Sequence, residues 1–151
     1  MANAIKWSAL GGVQIGVTGT AVANLADGAN KLGSEYDNST TGNRNMYADF
    51  VFRAEFATSP ATNGFVALYL LGAPDGSNYE FGADAVDPAA TAWVGNFVVR
   101  QTTANHYCVL KHILLPATAF KPLVMNESGE RIVNTAANLR LTFYPYNTEV
   151  Q

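Results

Sequence analysis

Residues 46–56 read Met-Tyr-Ala-Asp-Phe-Val-Phe-Arg-Ala-Glu-Phe. Ala48, Phe50, Phe52, Ala54 and Phe56 fall on one side of an extended chain, and Tyr47, Asp49, Val51, Arg53 and Glu55 on the other. Side chains alternate across a strand, so this period of two predicts a β-strand with one dry and one wet face. Three Phe on one face need a facing layer, because a lone sheet cannot bury them. The rest of the chain must supply that layer.

Further strand signals follow. Residues 65–71 are apolar on both faces, which predicts a central strand covered on both sides and paired antiparallel with 46–56. In 93–101, Trp93, Gly95, Phe97 and Val99 alternate inward. Residues 106–115 read as the hairpin partner of that strand, ended by Pro116. Residues 119–125 read as a shorter edge strand, because Pro122 cannot donate to a ladder. In 138–146, Leu139, Leu141 and Phe143 point inward and Arg140, Thr142 and Tyr144 outward. Residues 147–151 read as an exposed tail. Between these lie a polar loop at 37–45, where Gly42 permits positive φ, a long loop at 72–92, and a turn at 126–129 with Gly129 at its tight position. Residues 20–32 read as loop and short strand, with 31–36 extended. Residues 4–17 read as an arm or two short strands broken at Gly11-Gly12, with Ile5, Trp7 and Ala9 on one face. The expectation is all-β: an antiparallel, jelly-roll-like β-sandwich of about eight strands, with an N-terminal arm over 1–17 and one domain over 18–151.

Composition narrows the function. Charged residues are 14% of the 151, against roughly 25% in an average domain. Few ions then need desolvating on contact with other protein, which suits a contact surface as well as a plain sandwich. Lys and Arg are scattered singly, so nucleic-acid binding has no electrostatic footprint. Cys108 is the one cysteine, so no intrachain disulfide forms. The first residues form no signal peptide and no run approaches a membrane span, so synthesis in a cytoplasm and no membrane entry are expected.

Reactive constellations are weak. His106, Cys108 and His112 fall on one face of one strand. His106 and Cys108, about 6.8 Å apart along it, are close enough for a shared metal, and His112 is not. Leu110 and Leu114 share that face, which favours a structural role. No hydrolase or phosphate-loop motif occurs. Asp75, Glu80, Asp84 and Asp87 cluster in the long loop as calcium ligands or solvated acids, with no EF-hand spacing. No catalytic residue, metal site or cofactor is assigned. Tyr79, Phe81, Tyr107, Tyr144 and Tyr146 suit either sugar stacking or protein contact.

The chain resembles small virion structural proteins of tailed bacteriophages. The resemblance rests on residues 24–29 (Asn-Leu-Ala-Asp-Gly-Ala), 34–38 (Ser-Glu-Tyr-Asp-Asn), 47–50 (Tyr-Ala-Asp-Phe), and 68–71 (Leu-Tyr-Leu-Leu) with 75–79 (Asp-Gly-Ser-Asn-Tyr). Residues 113–116, 120–123 and 126–129 extend it. It implies a jelly-roll-like decoration or cement protein on the outside of a capsid, bound to the major capsid protein and to copies of itself, a trimer being one option. A tail or fibre component with a carbohydrate-binding role is the alternative. The expected interface residues are Ile5, Trp7 and Leu10 in the arm and Tyr79 and Phe81 in the long loop.

Overall fold

The computed structural model describes residues 5–41, 43–133 and 139–150. The expected positive φ at Gly42 and the start of the last strand at Asn138 lie outside them. The strands are β1 (Ile5–Trp7), β2 (Gln14–Val17), β3 (Asn30–Leu32), β4 (Tyr36–Asp37), β5 (Tyr47–Ala54), β6 (Phe65–Gly72), β7 (Trp93–Val98), β8 (His106–Leu114), β9 (Ala119–Glu127), β10 (Arg140–Tyr146) and β11 (Thr148–Val150). A single helical turn, Gly19–Val22, follows β2.

Sheet 1 runs β2-β10-β5-β8 and sheet 2 runs β3-β9-β6-β7, with β4 also pairing β9. All of these pairings are antiparallel. The order has a simple origin. Pairs β6·β7, β5·β8, β3·β9 and β2·β10 are nested, as in one long hairpin whose tip is the 72–92 loop. Successive nested pairs fall alternately in the two sheets, and β10·β5 and β9·β6 stitch them together. That is jelly-roll topology, and the chain is an all-β sandwich.

The dry side of 46–56 behaves as the alternation predicts. Phe50 and Phe52 are fully buried, and facing them are Phe97, Phe120, Leu68 and Val124 from sheet 2. Phe52 stacks on Phe97 across the sandwich at 5.4 Å between centroids, and Phe50 stacks on Phe143 at 5.0 Å. Each such ring contributes roughly 1.5–3 kcal/mol by burial. β6 is covered on both sides as expected. Its outward Tyr69 and Leu71 form a second small core with Leu123, Leu32, Met125 and Ala92. The 72–92 loop makes that roof, and buried Asn30 ties it down by donating to Val86 O and accepting from Ala85 N.

Several expected pairings change. β5 and β6 lie in opposite sheets, because the 55–64 connection arches over the core instead of turning back as a hairpin. β7 and β8 likewise part into opposite sheets. β9 is nine residues long and lies between β6 and the β3–β4 strands, despite Pro122. The carbonyl of Pro122 accepts from Gly33 N, so its missing N–H also faces the break between β3 and β4 and no bond to β6 is lost. Gly33 is required there, since a Cβ would sit 2.0 Å from Gly16 O. Gly129 holds φ +79° in the tight turn, as expected. The break at Gly11-Gly12 separates β1 from β2. β2 pairs with β10, and β1 pairs with β11, so residues 148–150 form a strand and not a loose tail.

Candidate functional site

Among the described residues, the outer face of sheet 1 carries no second apolar cluster like the one on sheet 2. Strand alternation turns Tyr47, Asp49, Val51 and Arg53 of β5 outward, and the register sets Tyr146, Tyr144, Thr142 and Arg140 of β10 beside them. β8 adds Tyr107 opposite Arg53 and Val109 opposite Val51. Val51, Thr142 and Tyr146 are buried on this face, Tyr47, Asp49, Arg53, Arg140 and Tyr144 are half-buried, and Tyr107 and Val109 are exposed. Tyr and Arg are the side chains enriched at protein interfaces, and four of the seven Tyr gather here.

A bulge shapes the face. Asp49 stands opposite both Lys111 and His112, because the β5–β8 register shifts between Ala48 and Phe50. His112 takes φ +59°, in the left-handed region that few non-glycine residues adopt, and its N–H donates to Asp49 Oδ1 at 2.9 Å. The extra residue reverses the strand's facing. His106 and Cys108 point into the sandwich and His112 points out, so the three do not share a face. His112 instead stacks on Tyr47 at 4.1 Å, and its Nδ1 lies 3.1 Å from the Tyr146 hydroxyl. That hydroxyl donates to Asp49 at 3.1 Å. Burial, with the bond to and charge of Asp49, pushes the Tyr146 phenol up to about 12.

The inward pair is not arranged for metal or nucleophilic chemistry. His106 is buried and Nε2 donates to Arg100 O at 2.9 Å, a carbonyl being only an acceptor. The Cys108 thiol donates to Val98 O at 3.3 Å, and burial pushes its pKa up, against a smaller opposing effect of Arg100. Thiolate character is therefore disfavoured. Among the described residues no three His, Cys, Asp or Glu converge on one point. The loop acids are dispersed as well. Asp75 accepts from Asn78 N, Asn78 Nδ2 and Ser77 N, which holds its carboxyl down at about 2. Glu80 accepts from Gly72 N, and Asp84 pairs with Lys31 and accepts from Leu32 N.

The five expected interface residues fall in two separate places. Leu10 is 60% exposed beside the Pro145 end of β10, and the backbone of Ile5 and Trp7 lies in the β1–β11 ribbon. Tyr79 and Phe81 lie on the roof of sheet 2, along a groove of about 420 Å³ with Leu32, Glu80, Val86 and Lys121. Tyr79 donates to Glu35, which with slight burial pushes its phenol up to about 12, and Lys121 Nζ lies 4.0 Å from its ring centroid. Phe81 is 78% exposed. Of the five aromatic candidates, the fold brings Tyr107, Tyr144 and Tyr146 to the sheet 1 face and puts Tyr79 and Phe81 on the opposite side. The Tyr/Arg face was missed as a unit, although its signal is the wet side of residues 46–56.

Three of these aromatics have one ring face covered. Sugar stacking needs a free ring face. Tyr47 is capped by His112, Tyr107 by the Arg53 guanidinium at 5.0 Å, and Tyr79 by Lys121. Each cap covers one face of its ring and adds a charged or polar group beside it, an arrangement shared by protein contacts. No family model matches this chain, and neither the curated proteins nor the solved structures contain a significant match to it.

Proposed function

We propose that this chain is a non-enzymatic structural protein of a bacteriophage virion, a decoration or cement protein that binds the outside of the capsid through the Tyr/Arg face of sheet 1. The Tyr/Arg face carries the reading: the chain's own 72–92 loop packs on one sheet, while the other presents an interface-like composition whose β8 rim, Tyr107 and Val109, is exposed. Jelly rolls build many viral coat domains, and the weakly charged surface suits close packing on protein. Bridging neighbouring coat subunits lowers the free energy of the assembled shell relative to free subunits. The partners in this reading are the major capsid protein and further copies of this chain.

Copy number tests it. Quantitative mass spectrometry of purified particles is expected to give hundreds of copies per particle, in fixed ratio to the major capsid protein. A few to a few tens of copies would sink the decoration role. Truncating an anchor of the face, as in Tyr144→Ala, is expected to weaken capsid binding by about 2 kcal/mol, near thirtyfold, without loss of fold.

The second reading is a tail or fibre component that binds carbohydrate. Phe81 favours it, being exposed beside the roof groove without a capping cation. Saturable glycan binding lost in Phe81→Ala supports this reading, and its absence across a broad glycan panel removes it.

A further inference from the structure

We propose that the β7–β8 flank of the sandwich docks a second copy of this chain, which presents its 72–92 roof. The contact shares its β8 rim, Tyr107 and Val109, with the sheet 1 face and does not depend on the virion reading.

The flank is a pair of open edges. β8 ends sheet 1 and β7 ends sheet 2 on the same side, and among the described residues no strand pairs with either outer edge. Folded proteins normally blunt long edges with proline, inward charge or bulges. β8 has nine residues, no proline and a bulge only toward its far end. The flank also exposes large apolar side chains. Val98 is 69% and Tyr107 61% exposed, with Trp93 and Val109 nearby. Unprotected edges with this composition are expected to be covered.

Charge identifies the occupant. Residues 93–115 contain Arg100 and Lys111 and no carboxylate, while residues 72–92 contain four carboxylates and no Lys or Arg. From β5, Arg53 lies over Tyr107 and adds positive charge, while Asp49 stands opposite Lys111, so Arg100 and Arg53 carry most of the positive flank. Lys31 pairs with Asp84 and Lys121 lines the same groove as Glu80, so the roof keeps its acidic balance through Asp75 and Asp87. Phe81 and Val86 project among them as apolar counterparts of Val98 and Tyr107. Flank against flank would set Arg100 and Arg53 against their own kind, so a two-fold contact through this surface is disfavoured. Flank against roof pairs opposite charges and apolar with apolar. The contact is therefore heterologous, joining different patches of successive copies.

The purified chain tests this by light scattering after size exclusion and by sedimentation velocity. The wild type is expected to exceed monomer mass at low ionic strength and to move toward monomer as salt rises. Arg100→Glu and Asp87→Arg are each expected to weaken association about tenfold or more. Both side chains are exposed, so circular dichroism and melting are expected to show an unchanged fold. Mixed in equal amounts, the two variants are expected to recover association, because each supplies the patch the other reversed. A wild type that stays monomeric at low salt and high protein concentration overturns the proposal. So does association that survives both substitutions, or a mixture no larger than its parts.

Discussion

Asp49 sets the shape of the Tyr/Arg face, because one carboxylate oxygen receives both His112 N–H and the Tyr146 hydroxyl. Asp49→Ala leaves the bulge donor without its acceptor and is expected to cost about 1–3 kcal/mol, measured by urea denaturation. Tyr146 adds a pH signature. Its folded pKa of about 12 lies above its ordinary 10.0, so folding favours the neutral phenol. Its contribution to stability is complete below pH 10.0 and is lost as pH rises toward 12. Tyr79 shifts the same way through its bond to Glu35. Absorbance titration of the folded protein should therefore show these two tyrosinates forming late, and urea midpoints should fall between pH 10.0 and 12. Asn126 is the buried counterpart on sheet 2. It is fully buried, donates to Leu25 O and Glu130 O, and accepts from the Ser128 hydroxyl. Asn126→Ala strands those groups without water and is expected to cost about 2–3 kcal/mol in the same assay.

At the scale of elements, proline separates a strand's position from its rank in the sheet. Pro122 sits mid-strand in β9 with its missing donor turned to the β3–β4 break. Pro122→Ala should thus lose no ladder bond and cost only the trimming of a buried ring, about 1–2 kcal/mol. Lys121→Pro, whose backbone groups alternate toward β6, should cost about 3 kcal/mol or more. A result in the opposite order would mean that the Pro122 geometry is misread. The same attention to register explains Trp93. Its strand alternates inward through Gly95, Phe97 and Val99, yet Trp93 is exposed, because the β6–β7 register shifts between Leu68 and Tyr69 and sets Trp93 beside outward Tyr69. Two bulges, here and at His112, move side chains that a strict period of two would bury.

Over the whole molecule, the N-terminal segment divides by function. Residues 14–17 belong to sheet 1, with Val17 buried, whereas β1 pairs only with β11 among the described strands. Deleting residues 1–13 should leave the melting temperature of the sandwich nearly unchanged. Deleting 1–17 should lower it, since that strips β10 of its neighbour. The β-class, the dry positions of β5, β6 and β10, the tight turn at Gly129 and the covered character of β6 were legible in the sequence. Each depends on local alternation or on one residue's φ, and both act within a few residues. The partner of each strand was not legible. Alternation states which side of a strand is dry, but not whether the next connection turns back or arches to the facing sheet, so β5·β6 and β7·β8 read as hairpins and are not. Nor was the Tyr/Arg face legible as a unit, because Tyr47, Tyr107 and Tyr144 become neighbours only when β8, β5 and β10 lie side by side. The chain by itself determined what must be buried. Tertiary pairing, through non-local backbone bonds and single-residue bulges, decided which side chains were left together on the outside.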